Sequence, residues 1–304
     1  MKFEITILGC GAATPTLKRN PSSQLVNLHD KHLLIDCAEG TQLQLRKCKI
    51  KFQRINHIMI SHLHGDHYLG LPGLLSSMHL LGRTAPVSIY APADLKELIH
   101  VNLKFSETFL NFKWIFHPLD FESPEVILED DKFTITSFPM NHRIKCCGFR
   151  IDEKPKRRRI IKHLAEESEL TIAEIVQLKN GKSVVRESGE ELESEKFTLD
   201  PHPHRSYAYC SDTAPFEGQI ELIKEVDVLY HESTFTDQHV DRAADTYHST
   251  ARQAGEIAKK GNVKKLVLGH FSSRYKEVDE FAIQAKEEFP HVILAKDGMR
   301  LVIE

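Results

Sequence analysis

Short runs of alternating or continuous apolar residues recur along this 304-residue chain, and most have the length of a β-strand. Phe3–Leu8, Leu25–Leu28, His32–Asp36, Ile55–Ile60 and Val87–Ala91 are such runs, bounded by turn-forming residues, and they predict strands. Between them the period lengthens. Thr41–Lys47 and Gly70–Leu81 space their apolar residues three and four apart, with Leu74, Leu75, Met78 and Leu81 forming one helical stripe after a Gly-Leu-Pro-Gly turn. Lys132–Phe138 and Gly148–Ile151 continue the strand series. From 152 to 200 the periodicity fades, and a basic block is followed by an acidic one. Regular patterning resumes with strands at Ser206–Cys210, Val226–His231 and Lys264–Leu268, helices at Ser249–Lys260 and Val278–Glu288, and strands at Val292–Ala295 and Met299–Ile303. The pattern predicts two α/β halves joined by an insertion over residues 152–200, with no short internal repeat.

Composition narrows this little. A hydrophobic share of 41% and a charged share of 27% are ordinary for a globular chain. No run reaches 18 apolar residues, so no membrane span is expected. The opening Met-Lys-Phe-Glu-Ile-Thr-Ile-Leu-Gly reads as a first strand rather than a secretory leader. Cysteines 10, 37, 48, 146, 147 and 210 are scattered without a CxxC, which argues against a disulfide framework and for a reducing, cytoplasmic setting. A net charge of −3 leaves any nucleic-acid binding to local patches.

The chemistry is concentrated in residues 57–67, where an apolar run ends in His62-X-His64-X-Asp66-His67. Three imidazoles and a carboxylate within six residues suit zinc or a similar divalent ion. Together they can fill one tetrahedral site. Alternatively they split in pairs, His62 and His64 toward one ion and Asp66 and His67 toward another. The second arrangement needs lone ligands at other strand ends, and His142, Asp212 and His270 each follow a predicted strand. A carboxylate can bridge two cations, which singles out Asp212. His202 and His204 precede a strand and are set aside.

With His142, Asp212 and His270 in this order, the chain resembles the metallo-β-lactamase superfamily. It resembles more narrowly the ribonuclease Z family of tRNA 3′-endonucleases. The closer likeness lies in Leu8-Gly9 with Pro15-Thr16-Leu17-Lys18-Arg19-Asn20, and in Gly70-Leu71-Pro72-Gly73-Leu74-Leu75. It continues in His231-Glu232-Ser233-Thr234-Phe235, Tyr247-His248-Ser249-Thr250-Ala251 and His270-Phe271-Ser272-Ser273-Arg274-Tyr275.

The resemblance implies an αββα sandwich in one domain over 1–304, with residues 152–200 as an inserted tRNA-binding arm. It implies two zinc ions per subunit, with manganese or cobalt able to substitute. His62, His64 and His142 would hold one, Asp66, His67 and His270 the other, and Asp212 both. Asp66 would double as proton acceptor, and His248 would donate a proton to the leaving oxygen or stabilise the scissile phosphate; Glu232 is the natural partner to orient its ring. Arg274, Lys18 and Arg19 would line the cleft, since Arg fits phosphate bidentately. In the arm, Lys156, Arg157, Arg158 and Arg159 would contact RNA phosphates. The Gly-Pro element that many bacterial relatives carry there is absent, and Glu187–Glu195 is acidic. The implied partners are precursor tRNA and a second copy in a homodimer, with no membrane. Two alternatives stand beside this reading: a phosphodiesterase or esterase of the same fold with a small substrate, and a metal-holding RNA-binding protein without turnover.

Overall fold

The computed structural model describes residues 2–304. Its principal strands, in chain order, are β1 (Phe3–Gly9), β2 (Ser23–Leu28), β3 (Lys31–Ile35), β4 (Ile55–Met59), β5 (Val87–Ala91) and β6 (Trp114–Pro118). They continue as β7 (Glu125–Glu129), β8 (Phe133–Pro139), β9 (Cys147–Glu153), β10 (Ser206–Cys210), β11 (Val228–Glu232), β12 (Lys265–Gly269), β13 (Val292–Leu294) and β14 (Arg300–Val302). One seven-stranded sheet runs β14-β1-β2-β3-β4-β5-β6 and the other β13-β12-β11-β10-β9-β8-β7. The first is antiparallel from β14 to β3 and parallel from β3 to β6. In the second, β10 to β13 are parallel.

Inner faces of the two sheets meet through buried tyrosines. Tyr207 of β10 donates to Gln24 of β2, and Tyr209 donates to Asp36 Oδ2 at 2.8 Å. On the outer face of the first sheet, Leu71, Leu74, Leu75 and Met78 of the helix Leu71–Leu80 join Leu95 and Ile99 of the helix Leu95–Phe105 against Ile58, Ile60 and Ile89. The second sheet is covered by the helices Ala251–Lys260 and Asp279–Lys286. This is the αββα sandwich expected from the sequence.

Most predicted elements are present, with ends moved by one or two residues. The helix Leu95–Phe105 and the strands β6 and β7 carried no expectation. β6 and β7 keep half-exposed or exposed faces, so their apolar alternation is weak.

Asp130–Phe133 and Asp152–His204 form a second compact unit. Its interior is small, built on Ala165, Leu178 and Leu192. The helix Ile172–Lys179 begins with a reciprocal cap between Thr171 and Glu174, and Arg186 braces that same Glu174 at 2.7 Å. The sequence showed no period here because elements of two to eight residues are too short to display one.

Candidate metal centre

β4 ends at Met59, and the chain then presents His62 and His64 from the loop before the one-turn helix Gly65–Tyr68, and Asp66 and His67 from the helix itself. Gly70 allows this turn to seat deeply, since a Cβ there would lie 2.0 Å from the Ala38 carbonyl oxygen. The loop after β3 is tied to the same turn, with Cys37 N–H donating to the His67 carbonyl at 2.7 Å. Asp36 and His270, at the ends of β3 and β12, have left-handed backbone (φ 55° and 58°), as has Tyr247 before His248 (φ 59°). Such strained residues cluster where a side chain must be re-aimed.

The seven expected donors converge as two sets. In the first, His62 Nε2 and His142 Nε2 lie 3.1 and 3.2 Å from His64 Nδ1, and Asp212 Oδ2 lies 3.6 Å from His62. In the second, His67 Nε2 and His270 Nε2 lie 3.3 and 3.2 Å from Asp212 Oδ1, with Asp66 Oδ2 at 3.7 and 3.5 Å from them. Zinc–nitrogen bonds of about 2.0–2.1 Å imply tetrahedron edges of roughly 3.3 Å, so both sets have the right span. Asp212 turns one oxygen to each.

Three of these atoms, His67 Nε2, Asp212 Oδ1 and His270 Nε2, are buried without a hydrogen-bond partner. Each such orphan costs about 1–3 kcal/mol, and a cation among them satisfies all three. The donors therefore fit a metal.

Behind the donors a second layer sets each ring. His67 Nδ1 donates to Asp36 Oδ2 at 2.7 Å and His142 Nδ1 to the Tyr247 carbonyl at 3.0 Å. Thr234 spends its hydroxyl proton on Glu232 Oε2 at 2.8 Å, so it accepts from His270 Nδ1 at 2.9 Å. In all three rings Nδ1 carries the proton and the Nε2 lone pair faces the centre, the arrangement a metal-binding imidazole needs. Asp36, Thr234 and the Tyr247 carbonyl were not read from the sequence. Among them only Asp36 gave a signal, a carboxylate ending an apolar strand.

Charge follows this layout. Burial alone would depress His67, but Asp212, Asp36 and Asp66 raise it, because they favour positive charge at its Nε2, whether a proton's or a bound cation's. Burial would raise Asp212, yet His270, His67 and His62 keep it well below the usual carboxylate range. The cluster is thus anionic enough to attract positive charge.

Glu232 and His248 form the expected pair, His248 Nδ1 donating to Glu232 Oε1 at 2.9 Å. Glu232 is fully buried and accepts as well from Thr213, Thr234 and Ser249 backbone N–H groups at 3.1, 2.8 and 3.0 Å. Burial would lower His248, but the Glu232 carboxylate pushes it up to about 9. His248 also lies within reach of Asp212 and His270 as a third donor set. What separates His248 from the seven donors is its place: it belongs to neither set of four, and its Nδ1 is held by the buried Glu232 carboxylate.

A cavity of about 480 Å³ opens over these groups, with Arg274 on its wall beside the Phe235 ring (5.4 Å). Lys18 and Arg19 are not on that wall. Lys18 pairs with Glu277 at 2.8 Å, and Arg19 donates to the Tyr275 carbonyl. The PTLKRN loop is tied down at its end, where Asn20 donates to Asp297 Oδ2 at 2.8 Å. Arg143 and Arg242, neither of them expected from the sequence, do line the cavity. In the second unit, Lys156 pairs with Glu153 (2.9 Å) and Arg158 with Asp200 (2.8 Å), while Arg159 Nε donates to the Asp200 carbonyl. Arg157 is exposed. The basic block is thus partly internal bracing.

A family model described as Beta-lactamase superfamily domain matches residues 175–271, and one described as Anti-Pycsar protein Apyc1 matches residues 3–156. A ribonuclease Z of Bacteroides fragilis is 45% identical over 98% of both chains, and one of Phocaeicola vulgatus 43% identical over 100% of this chain and 98% of its own. The chain belongs to the ribonuclease Z family. Human tRNase Z, short form, superposes with a TM-score of 0.72 at 30% identity over 99% of both chains. The metallo-β-lactamase fold protein YhfI of Bacillus subtilis shares the fold (TM-score 0.69, 20% identity) over 99% of this chain. In this member of the family, His64, Asp66, His142, Asp212, His248 and His270 line one cavity, with His62, His67 and Glu232 buried behind them.

Proposed function

We propose that this protein is a metal-dependent endoribonuclease that removes the 3′ trailer from precursor tRNA, leaving a 3′-hydroxyl on the tRNA and a 5′-phosphate on the trailer. One observation carries the substrate: relatives alike from end to end, at 38–45% identity, are ribonucleases Z. The site supports the chemistry. His62, His64, His142 and Asp212 would hold one zinc ion, and Asp66, His67, His270 and Asp212 a second; imidazole and carboxylate also accept manganese or cobalt. When bound, such a pair supplies Lewis acidity and lowers the pKa of water toward about 7.

The chain's own residues do the rest. Burial would raise Asp66, but His67 and His270 keep its carboxyl well below the usual range. It is therefore anionic at neutral pH and takes a proton from the attacking water. His248, held by Glu232, gives its proton to the departing 3′ oxygen. Arg274 steadies the phosphate between them.

A protonated donor is lost as pH rises through its pKa. Glu232→Gln removes the anion that raises His248, so the alkaline limb of kcat/KM moves to lower pH. A pH–rate profile of the variant with an unmoved limb contradicts this role.

The basic residues Lys156, Arg157, Arg158 and Arg159 would position the RNA from the second unit, without reading its sequence. Replacing residues 155–202 by a short Gly-Ser linker is expected to lower kcat/KM on a 3′-extended precursor tRNA by roughly 10²-fold or more. Hydrolysis of a simple aryl phosphodiester should persist, and Asp66→Ala should lose both. Wild-type enzyme that cleaves the aryl ester but no precursor tRNA would instead favour the small-substrate reading.

The setting proposed is the cytoplasm, and no helix among the described residues is long and apolar enough to cross a membrane. A homodimer would cover the exposed Leu80, Leu81, Phe105 and Phe109 (79, 56, 79 and 84% exposed). Leu80 and Phe109 line one surface hollow, and a contiguous exposed apolar patch marks an association face. Phe109→Glu should shift the sedimenting species from dimer to monomer; a wild-type monomer would end the idea.

A further inference from the structure

Three arginines line the cavity over the metal donors, Arg143, Arg242 and Arg274, and among the described residues none has a carboxylate partner. Elsewhere in the same unit arginines are spent. Arg252 bridges Asp237 and Glu287, both at 2.6 Å, and Arg83 donates to three backbone carbonyls and Asn56. Arg242 stays unpaired among the described residues although Asp241 and Asp245 flank it on the helix Val240–Asp245.

Its backbone is nonetheless fixed. The Arg242 carbonyl accepts from Thr246 N–H at 3.1 Å and from Thr246 Oγ1 at 2.7 Å. The helix then closes through Tyr247, and His248 N–H donates to the Ala243 carbonyl at 2.8 Å. Arg242 and His248 therefore ride on one tight turn, itself anchored to the centre where His142 Nδ1 donates to the Tyr247 carbonyl. The charged end of Arg242 is the free part of an otherwise fixed residue, on a side chain that lines the cavity.

Position on that turn decides which phosphate it meets. His248 serves the departing oxygen, which belongs to the nucleotide 5′ of the cut. The side of the cavity carrying His248 is the side of the mature RNA. We propose that Arg242 binds the phosphate immediately 5′ of the cleaved one and so helps set the cleavage position. This rests on the precursor-tRNA reading above. A guanidinium suits the task, presenting two parallel N–H groups to one phosphate. Acting on a neighbouring charge rather than the reacting one, it contributes only on substrates longer than one linkage.

Single-turnover cleavage of precursor tRNAs carrying one neutral methylphosphonate linkage tests the assignment. Wild-type enzyme should lose roughly 10–100-fold when the neutral linkage is the one 5′ of the cut, the cost of one charge-assisted contact. Arg242→Ala should lose a similar factor on the unmodified RNA and show no further loss on the modified one, with Arg242→Lys recovering part of it. Metal content and thermal midpoint report that the variants are folded. The proposal is overturned if Arg242→Ala keeps the full penalty of the 5′ neutral linkage, or if the penalty it abolishes belongs to the 3′ linkage. Failure of the underlying reading looks different, because wild-type enzyme then cleaves none of these RNAs.

Discussion

Asp212→Asn is expected to lower precursor tRNA cleavage by roughly 10³-fold or more and, on the two-ion reading proposed above, to reduce metal content from two ions to one. Asp212 is buried at the only point shared by the two donor sets, with Oδ1 3.2–3.3 Å from His270 and His67 and Oδ2 3.6 Å from His62. Asparagine keeps the shape but replaces one acceptor oxygen with an NH₂ group, which repels a cation. One set keeps four donors while the other keeps three and faces a misplaced donor. Loss of several kcal/mol of charge stabilisation at one position, at tenfold per about 1.4 kcal/mol, accounts for the rate. Elemental analysis paired with single-turnover rates checks it. A folded variant that retains two ions and the wild-type rate would show that the carboxylate does not bridge.

His248→Ala should leave both ions in place and lower the rate on precursor tRNA by roughly 10²–10⁴-fold, the usual worth of a positioned general acid. The telling comparison is between leaving groups. A nitrophenolate departs without protonation, so an aryl phosphodiester should lose far less than the RNA. Equal losses on both, or full metal content with full turnover on RNA, would remove His248 from proton transfer. A fall in metal content would make it a ligand instead, the role open to it through its distance from Asp212 and His270.

Much of this molecule was legible before its structure. Strands such as Val87–Ala91 and Ser206–Cys210 and the helix Thr41–Lys47 have the bounds their apolar spacing predicts. Buried elements of five to seven residues that alternate cleanly leave little freedom. The donor types were legible for a similar reason, because three imidazoles and a carboxylate in six residues have no structural use. Less visible was whatever depends on contacts distant in sequence. Lys18 and Arg19 look like cleft residues until Glu277 and the Tyr275 carbonyl are seen to hold them. Arg143 and Arg242 look like surface charges until the cavity is drawn around them. The basic block at 154–162 reads as free charge, yet Glu153 and Asp200 take up part of it.

By itself the sequence determined which side chains can bind a cation and which segments become strands, because both follow from residue chemistry and local period. Tertiary structure decided that seven donors from four strand ends come within a few ångströms of one another, with Asp212 between them. It also decided which nitrogen each ring turns inward. The reason is geometric: the outer nitrogens are claimed by Asp36, Thr234 and the Tyr247 carbonyl, groups brought there by sheet packing and by backbone at positive φ. No local pattern encodes such an encounter, since its partners lie from 31 to 105 residues apart in the chain.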